Sequence, residues 1–136
     1  MKKVWVNGCF DILHRGHYEL FNYAKSLGDF LTVGIDSDDK IAKDKGPDRP
    51  FNKLQDRVYA LKSLKAVDKI VTFNTREELE NSIQEYSPDI LVVGSDWKNK
   101  EVVGWRYAKK IVYFNRIEGY STTNILHYNG KQTLPR

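Results

Sequence analysis

The feature that most narrows the fold of this chain is an alternation. Short apolar runs are separated by stretches whose apolar residues recur at helical spacing. Lys3 to Val6 reads as a strand and runs into the turn signal Asn7-Gly8. His17 to Leu27 sets Leu20, Phe21, Ala24 and Leu27 on one helical face, with Gly28 closing the helix. Phe30 to Ile35 is a nearly continuous apolar run, as a buried parallel strand requires. Arg57 to Val67 and Glu77 to Tyr86 read as helices, and Lys69 to Phe73, Ile90 to Val93 and Ile111 to Phe114 as strands. Thr122 begins a last short helix. Strands and helices in this order predict βαβ units and a parallel sheet covered on both faces. In such sheets ligands bind beyond the carboxyl ends of the strands.

Composition excludes several classes. The chain has 136 residues, enough for one domain with a proper core. No apolar run approaches the ~18 residues of a membrane span, and the N-terminal Met1 to Gly8 lacks the apolar core of a signal peptide. Cys9 is the single cysteine, so no internal disulfide forms, which fits a reducing compartment. A cytoplasmic protein is expected. The net charge of +4 is mild and its basic residues are scattered, apart from Lys40, Lys43 and Lys45, so a nucleic-acid partner is not expected.

The segment richest in chemistry is Asn7-Gly8-Cys9-Phe10-Asp11-Ile12-Leu13-His14-Arg15-Gly16-His17. It leaves a strand, crosses a glycine turn and enters a helix. Gly8, lacking a Cβ, would let backbone come close to a ligand. His14 and His17 flank Gly16 where helix amides and dipole already favour a phosphate. Two imidazoles there can donate hydrogen bonds to charge developing at phosphorus. A second cluster, Arg116-Ile117-Glu118-Gly119-Tyr120-Ser121-Thr122-Thr123-Asn124-Ile125, places three hydroxyls ahead of a helix start, a cap that can also hold an anion.

Together these residues resemble the signatures of the cytidylyltransferase-like nucleotidyltransferases, and the likeness extends over residues 2 to 126. The resemblance implies a Rossmann-like three-layer α/β sandwich around a five-stranded parallel sheet. It implies a nucleotidyltransferase domain over residues 1–126, followed by a tail over residues 127–136. It implies transfer of a nucleoside monophosphate from ATP or CTP, bound with Mg2+, to a phosphorylated sugar or alcohol, with release of pyrophosphate. It assigns catalytic roles to His14 and His17, to Lys45 as a mobile-loop lysine, and to Arg57 as a helix arginine on the phosphates. Arg49 is a weaker candidate for the same work. Nucleotide contacts fall to Gly8, Cys9, Phe10, Gly16, Asp96 in Gly94-Ser95-Asp96-Trp97, Arg116, Gly119, Ser121, Thr122 and Thr123. The Cys9 side chain reads as packing, since the family forms no covalent intermediate. Asp11 and Asp36 are possible helpers, or simple caps. No resident metal site is implied, and His127 has no assigned role. A homodimer is common in the family.

Two subfamilies compete. Asn7 to His14, Lys45-Gly46-Pro47, Arg49-Pro50, Asn52, Ala66-Val67-Asp68 and Ser87 to Val92 are similar to bacterial heptose 1-phosphate adenylyltransferases. Val93, where those enzymes carry lysine, and Arg116, placed as in cytidylyltransferases, point instead to CTP and glycerol 3-phosphate. The longer match favours the heptose-like reading. The family's last helix is also interrupted here by Tyr128 to Gln132 and stopped by Pro135. Other classes fit less well. A dehydrogenase would show Gly-x-Gly-x-x-Gly after the first strand, and a tRNA synthetase would need further domains. A nucleotide-binding sensor without turnover is the non-enzyme alternative.

Overall fold

A computed structural model describes residues 1–115. The expected helix from Thr122 and the tail over residues 127–136 lie outside the described residues. Strand β1 (Lys3–Gly8) leads to α1 (Arg15–Ser26) and β2 (Phe30–Asp36). Two helices follow, α2 (Asp38–Lys45) and α3 (Leu54–Lys62), then β3 (Lys69–Phe73) and α4 (Arg76–Tyr86). Strand β4 (Ile90–Gly94), two 3-10 turns (Ser95–Trp97 and Trp105–Tyr107) and β5 (Lys110–Phe114) complete the described chain.

The five strands form one sheet in the order β3-β2-β1-β4-β5, and every neighbouring pair is parallel. Alternation along β1 explains the three layers. Val4 and Val6 face one side and pack with Phe21 and Ala24 of α1 and Leu61 of α3. Trp5 faces the other side with Phe73, Leu91 and the α4 residues Leu79 and Ile83. The sheet is thus buried on both faces, which is why its strands read as apolar runs rather than alternating ones. The sheet grows from β1 through β2 to β3, then α4 carries the chain back across it to β4. The strand order therefore reverses between β1 and β4, and a crevice opens at their carboxyl ends.

Helix α2 was not expected, and Lys45 is its last residue rather than part of a loop. Only Ile41 is buried on α2, so no apolar stripe announces it. Its ends are made by capping instead. Ser37 Oγ accepts the Lys40 amide, Asp38 and Asp39 occupy the first turn, and Lys43 and Lys45 the last, as the helix dipole favours. Among the described residues, no helix is long and apolar enough to cross a membrane.

Candidate active site

The turn after β1 is held in an unusual conformation. Phe10 and Ile12 both adopt positive φ, 50° and 48°, a region that costs a non-glycine residue about 1 kcal/mol or more. Packing and hydrogen bonds hold them there. The Phe10 ring lies edge-on to Phe21 and to His17, with centroids 4.9 and 5.7 Å away. It also explains Gly8: a Cβ at that position would sit 3.1 Å from the Phe10 ring. The glycine makes room for a side chain of the same turn, and it also borders the cavity at the carboxyl edge of the sheet.

Asp11 is buried and accepts two amides of the segment after α2, Phe51 at 2.6 Å and Asn52 at 2.9 Å. The Arg49 Nε lies 3.9 Å from the same carboxylate. Asp11 therefore ties the basic segment around Arg49 to the first motif.

The two histidines cap their own helix. His14, the N-cap of α1, accepts the Gly16 amide on Nδ1 at 3.1 Å, while His17 Nδ1 accepts the His14 amide at 3.1 Å. The rings lie 4.0 Å apart. With both Nδ1 atoms accepting, each neutral ring carries its proton on Nε2, so each presents an N–H donor. Donors at a helix N-terminus suit a phosphate whose negative charge grows during reaction.

Arg57, expected on the phosphates, is held by backbone carbonyls in this structure. Its side chain is fully buried, and it donates through Nη1 to the Cys9 and Asp36 carbonyls at 2.9 and 2.8 Å. Nε donates to the Asn52 carbonyl at 3.0 Å, and Nη2 pairs with Asp38 at 2.7 Å. The guanidinium fastens the first motif, the end of β2 and the segment before α3 to one another. It is not among the residues lining the cavity, so a direct phosphate contact is not what its geometry provides.

A cavity of about 630 Å³ crosses the carboxyl edge of the sheet. Asn7, Gly8, Cys9, Phe10, His14, Gly16 and His17 line one part, with Asp36, Lys40, Lys45 and Arg49 beside them. Val93, Gly94 and Trp97 bring in the β4 end, and Leu79 and Arg76 come from α4. Asp96 is exposed in the 3-10 turn that follows β4 and is not among the lining residues. Arg116, Gly119, Ser121, Thr122 and Thr123 lie outside the described residues. A smaller cavity of about 330 Å³ between α3 and β3 contains none of the motif residues.

Cys9 is half-buried, and its thiol donates to Asp36 at 3.1 Å. Burial, then the Asp36 charge and hydrogen bond, push its pKa up to about 11 against the opposing pull of Lys45. The group is therefore a neutral thiol and a poor nucleophile. Burial works against the charge of Lys40, but its hydrogen bond to Asp44 and the charges of Asp36 and Asp44 outweigh that and raise its pKa.

Sequence reasoning gave no role to Lys40, Asp44, Arg76 or Leu79 in this site. Lys40 and Asp44 belong to the unexpected α2, and their i,i+4 spacing was the available signal. Arg76 and Leu79 reach the cavity only because α4 follows β3 on the other face, which no local pattern reveals.

Known proteins share this architecture. The chain is 50% identical over 125 residues to bifunctional protein HldE of Helicobacter hepaticus, and 50% identical over 123 residues to that of Nitratiruptor sp.. These matches cover 92% and 90% of this chain but about a quarter (26%) of each relative. Among solved structures, the lipopolysaccharide core biosynthesis protein of Thermoplasma volcanium superposes with a TM-score of 0.67 at 26% identity. That match covers 87% of this chain and 99% of that one. Pantoate-beta-alanine ligase of Francisella tularensis, at 19% identity and a TM-score of 0.65, shares the fold; the match covers 93% of this chain and 66% of that one. The cytidylyltransferase-like family model matches residues 5–132. With that match spanning nearly its whole length, this chain belongs to the cytidylyltransferase-like family.

Proposed function

We propose that this chain is a nucleotidyltransferase that moves AMP from ATP to a phosphorylated sugar resembling heptose 1-phosphate, releasing pyrophosphate. The observation that carries the reading is the pair of mutually capped histidines. Both have their tautomer set by a helix N-terminus, and both line the crevice where the strand order reverses. The 50% identity to two HldE proteins supports the adenylyl and sugar-phosphate side of the choice.

A phosphate oxygen of the acceptor bonds to the α-phosphorus as the bond from that phosphorus to the bridging β-phosphate oxygen breaks, and pyrophosphate leaves. The protein's share is alignment and charge stabilisation. His14 and His17 donate Nε2–H to oxygens on the phosphates. Lys45, at the end of α2, adds a flexible charge. Gly16, which carries no side chain, and the positive end of the α1 dipole are proposed beside the phosphates, and the hydroxyls of Ser121, Thr122 and Thr123, with Arg116 and Gly119, belong to the same proposal. Asp96 is proposed near the nucleotide because its neighbour Trp97 lines the cavity.

Among the described residues, no group of three or more His, Cys, Asp or Glu side chains could hold a metal ion. Magnesium is proposed to come with the triphosphate and would supply positive charge to the pyrophosphate. A catalytic domain over residues 1–126 with a tail over 127–136, a cytoplasmic setting and a homodimer complete the proposal.

The test is pyrophosphate release with ATP and with CTP, each against heptose 1-phosphate and glycerol 3-phosphate. Turnover is expected with ATP and the heptose, and His17→Ala should lower it about 10² to 10³-fold, the scale of one lost donor to a developing oxyanion. Turnover only with CTP and glycerol 3-phosphate would replace the acceptor and nucleotide. Silence in every combination would favour a nucleotide sensor.

A further inference from the structure

A reaction between two phosphate-bearing molecules needs a second anion subsite, and the cavity offers a second source of positive charge. Its cations are not equivalent. Lys40 is bound to Asp44 at 2.7 Å, and Arg49 Nε lies 3.9 Å from Asp11. Lys45 lies beside Cys9, on the side of the first motif. Arg76 stands apart. It lines the same cavity from α4, on the face of the sheet opposite α1, and among the described residues it makes no ion pair and no side-chain hydrogen bond.

Its position is also electrostatically unfavourable for the helix. Arg76 is the first residue of α4, where the dipole favours acids, and the next two residues are Glu77 and Glu78. Thr75 already caps this helix by accepting the Glu78 amide. A cation there does nothing for α4, and among the described residues no carboxylate forms an ion pair with it. Leu79, one turn further along α4, packs in one cluster with Val102 and Val103, and all three line the cavity with Arg76, whose guanidinium is the strong donor fork on that side.

We propose that Arg76 is a specificity-determining residue that binds the acceptor's phosphate, opposite the nucleotide's phosphates on α1; this rests on the nucleotidyltransferase reading above. The experiment compares wild type, Arg76→Ala, Arg76→Lys and Arg76→Glu in steady-state pyrophosphate release, varying ATP and heptose 1-phosphate separately. Losing one charge-assisted fork should raise the acceptor KM about 10- to 100-fold. The ATP KM should stay within about twofold, and lysine should restore part of the loss because it keeps the charge but not the fork. Arg76→Glu should abolish acceptor saturation while its thermal midpoint stays level or rises, since an acid suits this end of the helix. An unchanged acceptor KM in an active Arg76→Ala enzyme, or a shift in the ATP KM instead, would overturn the role of Arg76 and leave the reaction standing. Wild-type silence would remove the reaction and this role with it.

Discussion

A buried arginine and a pair of capping histidines show how differently two charged motifs in one sequence can be employed. Arg57 is placed by four hydrogen bonds to three separate segments, and one partner, Asp38, also accepts the Leu54 amide at 2.9 Å. Replacing such a group takes donors from three backbone carbonyls at once. Arg57→Lys is therefore expected to cost about 2 kcal/mol of stability, because an ammonium cannot reproduce the fork that serves them. Urea denaturation reads this directly, and an unchanged midpoint with a weakened ATP KM would instead restore Arg57 to the phosphates. Resemblance placed Arg57 on the phosphates, and sequence could not show these other partners because they come from residues 5 to 48 positions away. His14 and His17 were legible because their spacing is local: His14 spans the first turn to meet Gly16, and His17 reaches back to His14.

At the scale of elements, agreement tracked how local each boundary's cause is. Strand β3 was read with its observed bounds, and β2, β4, β5 and α4 differ at one end by a single residue. Helix α1 starts two residues earlier than expected because histidine, not a usual capping residue, makes its N-cap. Helix α3 starts at Leu54 with no side-chain cap of its own, since Asp38 supplies the bond from 16 residues upstream. Its end is Lys62, before the expected Val67, where the chain enters turns. Helix α4 ends at Ser87 with φ 51° and ψ 63°, its amide donating to the Ile83 carbonyl at 2.8 Å, just before Pro88. Serine is strained in that left-handed position, where glycine is not. Ser87→Gly should stabilise the protein by about 0.5–1 kcal/mol, seen as a thermal midpoint a few degrees higher. A lower midpoint would show that the Ser87 side chain contributes more than its backbone costs.

Across the whole molecule, the two ends of the sheet have different tasks. The carboxyl edge forms the cavity, while the amino edge is tied by aspartates. Asp29 accepts the Lys2 amide, Asp68 the Leu31 amide and Asp89 the Lys3 amide, at 2.7, 2.8 and 2.7 Å. Burial disfavours the Asp68 charge, but the Lys25 hydrogen bond, the Leu31 amide and the Lys25 charge outweigh it and hold the carboxyl below its usual range. The Lys3 amide, then the Lys109 hydrogen bond, do the same for Asp89. A carboxyl that gives up its proton more readily when folded adds stability above the ordinary carboxylate pKa of about 3.9. That stability is lost as pH falls through the lower folded value. Urea midpoints measured from pH 7 down to pH 3 should fall, and Asp68→Asn should fall less steeply while starting lower at pH 7. Parallel curves would remove Asp68 from the acid response. By itself, the sequence determined the α/β class, the succession of strands and helices along the chain and the histidine motif, because each rests on periodicity or on contacts within a few residues. Only the tertiary structure decided that Arg57 is a fastener, that Gly8 yields space to Phe10, and that Arg76 shares a cavity with His17. Those outcomes depend on which segments the reversal of strand order brings together, and that is a property of the folded sheet rather than of any stretch of chain.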